Sequence, residues 1–168
     1  MINKITRVIS ALVASVALSS PSLARVESGT PDLIRLTEEY GGSFVYNPSS
    51  CGGPFLGYYR PGTQEIGLCY LGTPNANDHN TVRHEVWHFI QHCAAKRRGL
   101  QGLTPVSMDS MRRSQWVSQY LRPAAISNIR RAYPTHAHAI ELEAFAAAES
   151  YTSDQIGGVL RKWCVRPT

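Results

Sequence analysis

Residues 81–98 read Thr-Val-Arg-His-Glu-Val-Trp-His-Phe-Ile-Gln-His-Cys-Ala-Ala-Lys-Arg-Arg. Val82, Val86, Phe89, Ile90 and Cys93 recur at helical spacing, which predicts one long helix over this stretch. Asp78 and Asn80 are the available N-caps. Lys96, Arg97 and Arg98 suit the negative end of the helix dipole, and Gly99 can end the helix. The flanking sequence must supply the surfaces against which this apolar stripe packs.

Toward the N-terminus those surfaces read as a small β-region. Ser43 to Tyr46 predicts a short strand, and residues 47–54 are rich in Asn, Pro, Ser and Gly and predict a loop. Residues 56–59 and 65–70 predict an antiparallel hairpin around Arg60-Pro61-Gly62-Thr63. In its second arm Ile66, Leu68 and Tyr70 alternate with Glu65, Gly67 and Cys69, which makes one face apolar. A short helix over 31–40 precedes these strands, with Thr30 as N-cap, Pro31 at the first helical position and Gly41 as terminator.

Toward the C-terminus the chain is helical. Segments 110–121, 124–133, 135–151 and 154–163 are separated by Pro123, by Pro134 and by the polar run at 152–153. The architecture this predicts is α+β, a small antiparallel β-region followed by a mostly helical half, in one domain over residues 25–168.

The first 24 residues read as a signal peptide: Lys4 and Arg7, then an apolar run from Val8 to Leu18, then the small-residue pattern Ser22-Leu23-Ala24. Cleavage after Ala24 is expected to deliver a secreted or periplasmic protein with no membrane span. Of the chain's 17 basic residues this removes Lys4 and Arg7, leaving 15 against 12 acidic ones. The mild excess forms no basic stripe interleaved with aromatics, which argues against a nucleic-acid partner. Arg112-Arg113, Arg130-Arg131 and Lys96-Arg97-Arg98 read as solvated helix ends, and Trp87 and Trp116 as packing anchors. The four cysteines, Cys51, Cys69, Cys93 and Cys164, imply disulfides in an oxidising compartment. The expected pairing is Cys51–Cys69, stapling the hairpin region, and Cys93–Cys164, tying the tail to the central helix.

The chemistry lies in His84-Glu85-Val86-Trp87-His88, an H-E-x-x-H pattern. Residues four apart stack on one helix face, so the two imidazoles can share a Zn²⁺ ion while Glu85 serves as general base toward water. A catalytic zinc takes three protein ligands and keeps an open position. His92 lies a further turn along, about 6 Å by helix rise, too far to share the ion. Glu141 and Glu143 sit on an otherwise apolar, Ala-rich segment, about 200° apart around a helix, so at most one can ligate. Glu141 is favoured because Ala144 and Ala148 share its face and allow close approach. Glu143 is the alternative. An oxyanion formed in the reaction also needs a donor, for which His136, His138, Tyr133 and His92 are candidates.

H-E-x-x-H followed by a Glu on a later helix resembles the gluzincin branch of the zincin metallopeptidases. The later-helix pattern here is Glu141-x-x-Ala144. The alternative metzincin pattern would need His at position 94, which is Ala94. The resemblance implies a minimal zincin-like fold, a zinc cofactor, and Glu141 as the third ligand. It also implies an antiparallel edge strand that lines the cleft and pairs with extended peptide, for which residues 65–70 are positioned. The branch often carries Asp or Asn four residues after the third ligand, where this chain has Phe145. The expected activity is that of a monomeric zinc metallopeptidase acting on peptides or proteins. The alternatives are a zinc amidase acting on cell-wall peptides and an inactive, disulfide-stapled binding module.

Overall fold

The computed structural model describes residues 29–51, 56–69 and 76–168. The expected signal sequence, the glycines at 52–53 and Tyr70 lie outside them. Six helices and a three-stranded sheet form the α+β arrangement expected. The elements are α1 Thr30–Glu39, β1 Ser43–Tyr46, β2 Gly57–Arg60, β3 Glu65–Leu68, α2 Ala76–Arg97, α3 Ser110–Tyr120, α4 Pro123–Ala132, α5 His138–Ser150 and α6 Ser153–Trp163. A 3₁₀ turn, Thr135–Ala137, precedes α5.

Helix α2 is the axis of the molecule, packed against α1, α5, α6, β2 and β3. Every residue from His84 to His92 is buried. Val82, Val86, Phe89 and Ile90 join Leu33, Ile66, Leu68, Ile156 and Leu160 in one core. A second, smaller core gathers Val117, Leu121, Ile129, Leu142 and Ala146 where α3 and α4 meet α5. Helix α5 packs closely along α2 because Ala144 and Ala147 present almost no bulk.

Helix α2 begins at Ala76, earlier than expected, so neither Asp78 nor Asn80 is its cap. Asn80 instead donates to Glu149 Oε1 of α5 at 2.7 Å and accepts from Arg83 Nη2 at 2.8 Å. The helix ends as expected. Gly99, at φ +69°, follows the last turn, and the Leu100 and Gly99 amides donate to the Ala95 and Lys96 carbonyls in a Schellman arrangement. The N-cap of α1 is Gly29 rather than Thr30. The buried Thr30 hydroxyl instead bonds Ser153 Oγ at 3.1 Å and His79 Nδ1 at 3.0 Å, joining α1 to α6 and α2.

The sheet order is β1-β3-β2. The hairpin β2–β3 is antiparallel as expected, but β1 lies parallel to β3, so the sheet is mixed. This order leaves β3 in the middle and β2 at an edge. Residues 65–70 therefore do not form the edge strand: both sides of β3 are already paired. The second face of β3 is covered too. Gly67 stands opposite Tyr58, and a Cβ there would fall 2.2 Å from the Tyr58 ring.

Both expected disulfides form, Cys51–Cys69 and Cys93–Cys164, and the structure holds no free cysteine. The first ties the loop after β1 to the end of β3, and the second ties α2 to the end of α6. Among the described residues no helix is long and apolar enough to cross a membrane.

Candidate metal centre

Helix α2 is buried on all sides at its middle yet carries His84, Glu85, His88, Gln91 and His92 there. Buried polar groups need partners, so the position of each is informative. His84 and His88, one turn apart, bring their Nε2 atoms to 3.1 Å. The Glu141 carboxylate on α5 reaches the same point, with Oε2 3.5 Å from both nitrogens. His84, Glu85 and His88 present ligand atoms within 4.8 Å of one another, close enough to hold one metal ion.

The protonation of His88 follows from its neighbour. Gln91 Nε2 donates to the Ile140 carbonyl at 3.0 Å and to Glu143 Oε2 at 2.8 Å. Two acceptors fix the amide orientation, so the acceptor Oε1 faces His88 Nδ1 at 2.7 Å. His88 therefore carries a proton on Nδ1 and turns Nε2 toward His84 and Glu141. Among the described residues Glu141 Oε2 and His84 Nδ1 have no hydrogen-bond partner. An imidazole lone pair and a carboxylate oxygen converging in a buried space repel each other unless positive charge lies between them, either a proton on an imidazole or a metal ion. This donor set fits a metal ion.

Without a metal ion, a proton on the imidazoles supplies that positive charge, and the groups act on one another. Burial alone would raise the Glu141 pKa, but the two imidazoles outweigh it and hold the group at about 2. Burial would lower the His88 pKa, but the Glu141 and Glu85 carboxylates reverse that and raise it. Glu85, 5% exposed, has its pKa raised chiefly by burial, with the imidazoles opposing. Strand β2 closes over Glu85 at Gly57, where a Cβ would meet Glu85 Cγ and Oε1 at 3.0 Å and Thr81 Cγ2 at 2.7 Å.

Glu143 points elsewhere. It is wholly buried and accepts from Trp87 Nε1, Gln91 Nε2 and the Val106 amide through Oε2, and from the Ser107 amide through Oε1. Its carboxylate fixes the loop before α3 and, through Gln91, the ring of His88. Neither Gln91 nor this role of Glu143 was anticipated. The available signal was Gln91 three residues beyond His88, on the same helical face.

The four oxyanion candidates separate. His92 shares a hydrogen bond of 3.0 Å with the Tyr59 hydroxyl of β2, and burial, then Lys96, lowers its pKa. His138 Nε2 bonds the Arg130 and Tyr133 carbonyls and holds the turn between α4 and α5. His136 is exposed. Tyr133 packs edge-on to Phe145, which lies against His84 with ring centroids 4.3 Å apart. Burial, then the Glu141 and Glu85 carboxylates, push the Tyr133 hydroxyl up to about 12.

Comparison with protein-family models, with curated proteins and with solved structures finds no match.

Proposed function

We propose that this protein is an exported zinc metallopeptidase in which His84, His88 and Glu141 hold the ion and Glu85 is the general base. The observation that carries the reading is the meeting of two imidazole nitrogens and a Glu141 carboxylate oxygen in one buried space. Two imidazoles and a carboxylate are a donor set that suits zinc with an open position. A zinc ion supplies a water acidified toward neutral pH and polarises a carbonyl.

The chain's own groups do the rest. Glu85, with its pKa raised by burial, accepts the proton of the attacking water and returns it to the leaving amine nitrogen. Tyr133, whose hydroxyl is near enough to Glu141 and Glu85 for both carboxylates to raise its pKa, is the candidate donor to the oxyanion once released from Glu141. Among the described residues β2 is an antiparallel edge strand beside Glu85, the edge to which an extended peptide would pair. Export accords with the two disulfides, which persist in oxidising compartments.

The test is elemental analysis of purified, oxidised protein together with assays on peptide libraries. Wild type should hold one zinc per chain, and His84→Ala should hold none. Glu85→Gln should keep the zinc and lose about 10²–10⁴-fold in turnover. A folded wild type that takes up no zinc, or Glu85→Gln with full activity, would overturn the reading.

A further inference from the structure

A groove of about 360 Å³ opens between α3, α6 and the loop before α3. It is separate from the imidazoles. Glu143 lines it, whereas Glu141, two residues away on the opposite side of α5, faces His84 and His88. Its walls hold all three tryptophans of the chain, Trp87, Trp116 and Trp163. Trp87, Trp116 and Tyr151 form a mutual cluster with ring centroids 5.5–6.0 Å apart. Trp87 is the buried floor, while the other aromatics remain partly exposed. Grouped, partly exposed aromatic rings are a feature of ligand sites more than of ordinary surface.

The charge around these rings is predominantly positive. Arg112, Arg113 and Lys162 line the groove. The one carboxylate within it, Glu143, has its oxygens taken up by four neutral donors, which leaves three cations facing the groove against one carboxylate. Arg113 is held in place by its bond to the Ser107 carbonyl. Arg112 pairs with Asp109 at 3.3 Å, but that pair is exposed and weakly coupled. A cationic ligand would gain from the ring faces and be repelled by three cations. An anion on a flat apolar body satisfies both features, with guanidinium groups suited to a carboxylate.

We propose that this groove binds an organic carboxylate carried on an aromatic body. The placement of Arg112, Arg113, Trp87 and Trp116, read from sequence as solvated charge and packing anchors, makes them walls of one site. The inference does not depend on the metal chemistry.

Because every tryptophan lines the groove, intrinsic fluorescence reports occupancy directly. The probes are 3-phenylpropionate, its neutral amide and the cation 3-phenylpropylamine, titrated into the full chain with and without zinc. The carboxylate should give a saturable change in both forms, with the amide and amine at least about tenfold weaker. Lys162→Glu and Arg112→Glu, both at exposed positions, should lose the preference for the carboxylate and keep amide binding. The tripeptide Gly-Gly-Phe with a free or amidated end runs alongside. A preference for its free acid extends the site to peptide ends, and a response confined to 3-phenylpropionate assigns it to small acids. Equal binding of all three probes, indifference to the charge reversals, or a response that requires zinc would overturn the proposal.

Discussion

Gln91 decides which way His88 faces. Its amide nitrogen is held by Glu143 and the Ile140 carbonyl, so only its oxygen is left for His88 Nδ1. Outer partners of this kind change metal affinity by about 10–100-fold when removed. Gln91→Met keeps the volume and deletes the hydrogen bond. It is expected to weaken zinc binding within that range in a chelator competition assay, with turnover of the zinc-saturated enzyme falling less. Unchanged affinity in a variant as thermostable as wild type would reduce Gln91 to a packing residue. At this scale the sequence was partly legible. The spacing of His84 and His88 requires them to share a helical face wherever the helix lies. Gln91 and Glu143 were not legible, because their roles depend on backbone amides at Val106 and Ser107, far away in sequence.

Strand β2, not β3, borders Glu85, and Gly57 sets how close it comes. Gly57→Ala would put a methyl 2.7 Å from Thr81 Cγ2 and 3.0 Å from Glu85 Cγ. The contacts are with side chains, so Thr81 and Glu85 must shift on a helix that stays in place, and overpacking of this kind costs about 1–3 kcal/mol. The variant is expected to melt earlier by circular dichroism and to lose turnover more than zinc content, because Glu85 is displaced while the imidazoles are not. Wild-type stability together with wild-type turnover would show that β2 is not pressed against Glu85. Local patterns located all the helices and strands, since periodicity and turn residues act within a few positions. They did not give the strand order. The parallel pairing of β1 with β3, and the bond of Asn80 to Glu149 of α5, join segments distant in sequence, which local patterns do not report.

The whole molecule is held by two covalent ties of unequal reach. Cys51–Cys69 closes 18 residues beside the sheet, while Cys93–Cys164 closes 71 and joins the central helix to the last one. The even cysteine count and the expected signal peptide made both ties legible from sequence, because a short chain in an oxidising compartment gains most from crosslinks. Loop-closure entropy assigns about 3 kcal/mol to the first and about 4 to the second. The longer tie also clamps α6, whose Ile156 and Leu160 complete the main core around α2. Cys93→Ala/Cys164→Ala is therefore expected to lower the melting temperature by roughly 10 °C or more. Cys51→Ala/Cys69→Ala should lower it by less, while loosening the loop that leads to β2 and the approach to Glu85. Thermal scans of the two variants beside oxidised wild type decide the matter. If the 51/69 variant is the less stable, the sheet-side staple rather than the α2–α6 clamp limits global unfolding. Thiol titration of unfolded, unreduced wild type should meanwhile find no reactive sulfur, and four free thiols there would mean that neither tie forms.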